Sequence, residues 1–504
     1  MRLAYCLNLH PAEERTGVVR GLRDVTLPLA ARLTGYDPLE PRAESAAETP
    51  WLGRFGIGPW FAAGFAAELA AGLGPHEEEG RPSEAASSTV AGSSSMPFAA
   101  GLAPSPASTV DGRLGREALV NLFAKYRLEP FTFNAFPHGG FHRKGLKRAV
   151  FDPPWSDPAR LRFTQDVARV AVWFARTLAE RAPAAHEPSH LSISTHSGGY
   201  ATDDPGERVA RARGLAEAAR FLRRLHEKTG VRVVLGVEPE PRSHANDTRQ
   251  LAALFDDIHA TLDVEGDVSA KSHIGTCLDA CHAAVEFEDE AEAFERATDG
   301  VPLAKLQFTS ALSLRDPGDA AARRALFALH EDTFLHQVTA RVRPRDAAGQ
   351  ADAKRSGPLG SSVPPRPTLV RADDLDHARA LFDRAAAGWR DADEWRCHFH
   401  VPVDLESFRG ANPDRDSQGS AQGGPTALGT TRTSADRLLA QALQAPERWG
   451  TNELHVEIET YTWNVLRAQG RKSGEPSASL DRALEQEYRH LLARLTEAGW
   501  CLAP

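Results

Sequence analysis

Short apolar runs alternate with longer stretches of helical spacing along most of the chain. Leu3 to Leu9 reads as a first strand, ending in Asn8 and His10. Pro11 then opens a helical stretch, where its missing N–H costs nothing, and Val18, Leu22, Val25, Leu29 and Leu33 follow at helical intervals. Residues 51–73 predict an extra helical element. A helix over 113–127 precedes a strand from Pro130 to Phe136, helix 157–182 precedes a strand at 191–195, and helix 206–229 precedes the run Val231 to Val237. That run is apolar on both faces, as a parallel strand covered by helices requires. Helix 246–263 leads into Ser272–His282, SHIGTCLDACH, and helix 288–298 into PLAKLQFTS at 302–310. A helix near 319–341, then one over 373–389, precede WRCHFHVPV at 395–403; helix 434–446 precedes ELHVEIETY at 453–461, and helix 479–499 ends the pattern.

The count is eight strands, each with a helix after it and no hairpin signal between them, which predicts an α/β fold of the (β/α)8 TIM-barrel type. Its active site would lie at the C-terminal ends of the strands. A doubly wound open sheet is the structural alternative, but no GxGxxG or GxxxxGK[ST] supports a nucleotide cofactor. Three low-complexity insertions, about 75–112, 343–368 and 409–432, interrupt a single domain over 1–504. The first is so rich in Ser, Gly, Pro and Ala that it cannot bury enough apolar surface to offset its ordering entropy.

Composition narrows the class. Of 504 residues 41% are hydrophobic, enough for a large core, and 59 basic against 68 acidic residues give a net charge of -9. That balance disfavours nucleic-acid binding, which usually needs a basic face. No apolar run reaches membrane-spanning length and the first residues lack the apolar core of a signal peptide. Five scattered cysteines fit a reducing compartment, so a cytoplasmic protein is expected.

The chemistry gathers at the predicted strand ends: Asn8 and His10, Asn134 and His138, His196, Glu238 and Glu240, Asp279 and His282, Gln307, His398 and His400, Glu457 and Glu459. In a barrel these share one bowl. Several carboxylates in one cavity repel each other unless some stay protonated or a cation joins them. A divalent metal accounts for the set, with a hydrogen-bonded polar bowl for an uncharged ligand as the alternative. Cys277 and Cys281 read as core thiols, and Arg143, Lys144, Lys147 and Arg148 as a solvated loop or a phosphate clamp.

EPEP at 238–241 resembles the EPxP of the xylose isomerases, and LDACH at 278–282 resembles the LDxxH of ketose epimerases and endonuclease IV. More broadly, YCLNLHP, EPFTFNAFPHGGFH, LSIST, VEPEP, CLDACHAAVEFED, KLQFTSAL, CHFHVPV and HVEIETYTW together resemble the EboE family of metabolite-traffic proteins, within the xylose-isomerase-like barrels. The resemblance implies Glu238, Asp279, Gln307 and Glu459 as metal ligands, with Glu238 and Glu459 also catalytic. His10, Glu240, His282, His398, His400 and Glu457, at the other strand ends, are candidates for binding the substrate or a second metal. Gln307 stands where many relatives carry a His ligand, which favours Mn²⁺ or Mg²⁺ over Zn²⁺.

Three functions follow as expectations. The first is a metal-dependent sugar or sugar-phosphate isomerase or epimerase acting on a small polyhydroxylated metabolite. The second is a non-catalytic binding or handing-on protein for a metabolite, partnered by proteins of the same gene cluster. The third is an endonuclease IV-like phosphodiesterase.

Overall fold

Val233, Val234, Leu235 and Val237 are fully buried, so the strand that carries them has no solvent face. Such a strand needs a parallel neighbour on each side and helices outside it. The computed structural model supplies both. It describes residues 1–10, 13–34, 55–73, 106–181, 187–201, 204–343, 367–409, 427–463, 465 and 480–500.

The strands, in chain order, are β1 (Arg2–Cys6), β2 (Phe55–Gly58), β3 (Leu128–Pro130), β4 (Thr132–Asn134), β5 (Leu191–His196), β6 (Val233–Glu238), β7 (Ile274–Asp279) and β8 (Leu303–Gln307). There follow β9 (Ser310–Leu314), β10 (Val338–Val342), β11 (Thr368–Ala372), β12 (Glu394–Val401), β13 (Ser407–Arg409), β14 (Ala427–Thr430) and β15 (His455–Ile458). One sheet runs β3-β2-β1-β15-β8-β7-β6-β5-β4, parallel throughout. Its two ends, β3 and β4, are halves of one extended stretch broken at Phe131, and a parallel bridge from Trp60 to Asn134 joins the neighbouring segments. The sheet therefore closes on itself as eight staves, a (β/α)8 barrel.

Helices pack outside it, among them Pro158–Arg181, Pro205–Thr229 and Thr248–Val264. Asp204 and Asp247 cap the second and third through side-chain oxygens. Pro205–Thr229 ends at Gly230, whose φ of 74° suits a residue without Cβ. None of the described helices is long and apolar enough to cross a membrane.

The eight staves are not the eight strands expected. Residues 55–58 form β2, a barrel strand, instead of part of a helical element. A Cβ on Gly56 would lie 2.0 Å from the Leu3 carbonyl oxygen, so the FGIG sequence reflects the close approach of β1. WRCHFHVPV, expected as the seventh stave, instead belongs to a second sheet, β11-β10-β12-β9-β14-β13, which is antiparallel and inserted between β8 and β15. The helix expected near 319–341 shrinks to Ala320–Phe327, and its C-terminal part is β10.

The second sheet buries its own apolar cluster, including Leu312, Val338, Trp389, Trp395 and Phe399. Two of the expected insertions spring from its paired strand ends, Val342 opposite Thr368 and Arg409 opposite Ala427. Residues 344–366 and 410–426, like 74–105 of the first insertion, lie outside the described residues, whereas 106–112 open the helix Pro106–Lys125.

Buried polar contacts fix the second sheet over the barrel mouth. Glu286, after β7, accepts from Arg242 at 3.1 Å and from Arg371 of β11 at 2.9 Å, and Gln337 donates to the Pro241 carbonyl at 3.0 Å. The two positive charges hold the Glu286 carboxyl below its usual range although burial opposes this.

Candidate metal centre and its cavity

β7 ends at Asp279, and the chain turns at once into a short helix, so His282 projects from that helix's first turn over the barrel mouth. Asp279 is the helix N-cap: its Oδ1 accepts from the His282 amide at 3.0 Å and from Thr309 Oγ1 at 2.7 Å. Its Oδ2 is buried and has no hydrogen-bond partner. From the second sheet, His398 and His400 alternate on β12 and so project to the same side.

The three imidazoles meet through one kind of nitrogen. His282 Nε2 lies 3.0 Å from His398 Nε2 and 3.4 Å from His400 Nε2. Asp279 Oδ2 lies 4.0 Å from His400 Nε2. Behind the rings, every Nδ1 faces an acceptor. His282 Nδ1 is 3.2 Å from the Pro239 carbonyl and 3.1 Å from Glu238 Oε1, His398 Nδ1 is 2.6 Å from Gln337 Oε1, and His400 Nδ1 is 3.0 Å from the Glu459 carbonyl. Those acceptors place the ring protons on Nδ1 and leave the Nε2 lone pairs aimed at one another.

Charge sharpens this. Burial and the neighbouring imidazoles push His398 well below its usual pKa, and burial takes His400 down to about 4. At His282 burial also works downward, but Asp279, Glu238 and Glu240 outweigh it and raise the ring to about 10. A proton shared between His282 Nε2 and His398 Nε2 is one way to satisfy these lone pairs. A cation is the other way to satisfy the lone pairs. For Zn–N bonds of about 2.05 Å, tetrahedral donors lie about 3.3 Å apart, which the His282 separations match. Asp279, His282 and His400 form one group of donor atoms within 4.8 Å of one another, and Glu240, His282 and His398 form a second. The donor set fits a divalent metal.

Carboxylates complete the floor. Glu240 is buried with Oε2 unpartnered, and burial, with Glu238 and Asp279 nearby, raises it to about 8 against the pull of His282. Burial likewise raises Glu238, and it raises Glu459 well above the usual range. Glu459 is held by neutral donors: Asn8 Nδ2 and Gln307 Nε2 donate to its two oxygens, with Asn134 Nδ2 at 3.5 Å.

These groups open on a cavity of about 60 Å³ roofed by Phe141, Phe334 and Tyr461. The roof rings pack on each other with centroids 5.0–5.2 Å apart, and Tyr461 also lies over His400 at 4.6 Å. Two loops carry the roof and are tied edge to edge, Gly145 N to the Asp332 carbonyl and Lys147 N to the Thr333 carbonyl, each at 2.9 Å. Lys147 Nζ reaches the rim and pairs with Asp374 at 2.7 Å.

Of the residues expected at the site, Glu238, Glu240, His282, His398, His400 and Glu459 line this cavity, and Asp279 lies directly behind. Three others do not. Gln307 has both amide ends engaged, donating to Glu459 and accepting from Cys277 Sγ at 3.1 Å, so it positions a carboxylate and has no free oxygen for a metal. Glu457, two residues before Glu459, points into the barrel core and pairs with Lys305 Nζ at 2.5 Å, both side chains fully buried. His10 packs on Gly21 beside His142, away from the cavity, and burial takes it down to about 4.

His196 accepts from Gly198 N at 3.1 Å and packs on Phe136, a structural role. Of the basic cluster only Lys147 lines the cavity. Gln337, which fixes His398, went unanticipated because its segment reads as helix, although the β-branched alternation of VTARV after it is a strand signal.

A further donor group, His190, Glu453 and His455, sits at the opposite end of the barrel. Its imidazoles are stacked at 4.0 Å and 2°, so their in-plane lone pairs cannot share an ion.

No family model and no curated protein matches the chain. Among solved structures it is similar to a probable 3-DHS dehydratase AsbF involved in petrobactin synthesis from Bacillus anthracis, at 10% identity and a TM-score of 0.38 over 95% of this chain and 100% of that one. It is similar to an L-ribulose 3-epimerase at 12% and 0.33, over 76% and 80% of the two chains. It is also similar to a xylose isomerase domain protein from Planctomyces limnophilus at 10% and 0.35, over 77% and 86%. Likeness this loose says nothing about chemistry, and the barrel assignment rests on the closed strand order.

Proposed function

We propose that the chain is a metal-dependent isomerase or epimerase that moves a proton beside the carbonyl of a small oxygenated metabolite. His282 Nε2, 3.0 Å from His398 Nε2 and 3.4 Å from His400 Nε2 and shared by two donor groups with carboxylates, carries this reading, with every Nδ1 facing an acceptor. The donor set favours Zn²⁺, where the sequence with Gln307 as ligand favours Mn²⁺ or Mg²⁺: imidazole suits zinc better than it suits the harder ions. When bound, the metal would act as a Lewis acid on a substrate carbonyl or hydroxyl.

The chain's own groups supply the rest. Glu240, buried with one oxygen unpartnered, is the carboxylate placed to exchange a proton with the substrate. Glu459, fixed by Asn8 and Gln307, is the second carboxylate. Glu238 lies against His282 Nδ1, so its part is to orient that ring.

The test is proton exchange. Zinc-loaded protein incubated in D₂O with a panel of small ketoses and hydroxyketones should place deuterium on the carbon beside the carbonyl, and Glu240→Gln should abolish this. Loaded protein that binds panel members without exchange would favour the handing-on role that the resemblance to the EboE family suggests.

A further inference from the structure

The two halves of the cavity wall are chemically opposite. The floor carries imidazoles, carboxylates and the amides of Asn8 and Asn134, whereas the roof is Phe136, Phe141, Phe334, Leu335 and Tyr461. One aromatic ring can stack on the C–H face of a sugar and leave its hydroxyls free at the edges. Here three rings pack on one another from two separate loops and from the segment after β15, and Phe136 and Leu335 join them. The single polar atom of those three rings, the Tyr461 hydroxyl, is already 3.3 Å from His398 Nε2. Lys147, at the rim, is held by Asp374. Apart from Thr333 and Lys147, that wall offers the outward hydroxyl groups of a substrate no polar side chain but the Tyr461 hydroxyl, so they would lose water and find few partners.

We infer that the substrate is amphipathic: two adjacent oxygen atoms at one edge, for the metal and carboxylate floor, and a hydrocarbon or aromatic body under the roof. It is not a sugar hydroxylated along its whole length. This rests on the metal reading above and narrows its substrate class. The cavity of about 60 Å³ limits the buried body to a short one.

Hydroxamates test this, because they present two adjacent oxygens to a metal while the rest of the chain is varied. Affinities of the zinc-loaded full chain would be measured for acetohydroxamate, butyrohydroxamate, hexanohydroxamate and erythronohydroxamate, the last having the length of the second but hydroxylated throughout. Affinity should rise by up to about four-fold for each buried methylene, and erythronohydroxamate should bind more weakly than butyrohydroxamate. Phe334→Ala should flatten the rise and leave acetohydroxamate unaffected. Tighter binding of erythronohydroxamate than of butyrohydroxamate, or a flat series in the unmodified protein, overturns the inference while leaving the metal reading intact. Protein that retains no metal overturns both.

Discussion

His282 Nε2 lies 3.0 Å from His398 Nε2, and each ring is held from behind so that neither can turn away. The first ring comes from the barrel and the second from the inserted sheet. The site therefore exists only because the sheet docks on the barrel mouth through Arg242, Glu286 and Arg371.

That dependence predicts an effect for a residue that touches no metal. Gln337 accepts from His398 Nδ1 and donates to the Pro241 carbonyl, so it fixes the ring and joins the two parts. Gln337→Leu should weaken zinc affinity by about 10–100-fold, measured by competition with a chromogenic chelator. Unchanged affinity would remove the positioning role.

Gln307 gives the opposite result. Its amide supports Glu459 and has no free oxygen, so Gln307→Ala should leave metal stoichiometry unchanged while costing about 1–3 kcal/mol of stability through the donor lost to a buried carboxylate. Loss of the metal in this variant would restore Gln307 as a ligand.

Beneath the site, Lys305 and Glu457 form a fully buried ion pair. Removing one partner strands the other charge, so Lys305→Met should cost about 3–5 kcal/mol, and the double variant Lys305→Met, Glu457→Leu should recover much of it. Chemical denaturation of the three proteins gives the comparison; a double variant no more stable than Lys305→Met would contradict it.

Acid stability follows from Glu453. Burial works upward on this carboxyl, but hydrogen bonding and charge from His455 and Arg2 outweigh it and hold it at about 2. Its folded pKa lies below the unfolded value near 4.5, so its contribution is present above that value and is lost as pH falls through about 2. Glu453→Gln should lower stability at neutral pH by roughly 2 kcal/mol and make the decline between pH 5 and 2 shallower. Urea midpoints across that range decide it, and parallel curves for the two proteins would count against the assignment.

Much of this was legible in the sequence. Buried runs such as Val231 to Val237 announce parallel staves, and the strand-end convention gathers Glu238, Glu240, Asp279, His282 and Glu459 at one mouth. What failed has physical causes. FGIG at 55–58 is too short and too glycine-rich to read as a stave, yet Gly56 is what lets β1 approach. HFHV on β12 is buried on both faces like a barrel strand, and only its antiparallel partners β9 and β10 reveal the second sheet. Glu457 and Glu459 look alike in sequence, but alternate depth in the barrel makes one a core ion pair and the other a site carboxylate. That His398 and His400 would meet His282 depends on a docking that no local pattern encodes.

The central claim is a divalent metal held at His282, which belongs both to the donor group with Asp279 and His400 and to the donor group with Glu240 and His398. The most direct measurement is elemental analysis of protein purified without chelators, beside the His282→Ala variant with its fold checked by circular dichroism. The account predicts close to one zinc per chain in the native protein and a large loss in the variant at unchanged secondary structure. No divalent metal in the native protein, even after incubation with zinc, or full retention in the variant, would contradict it.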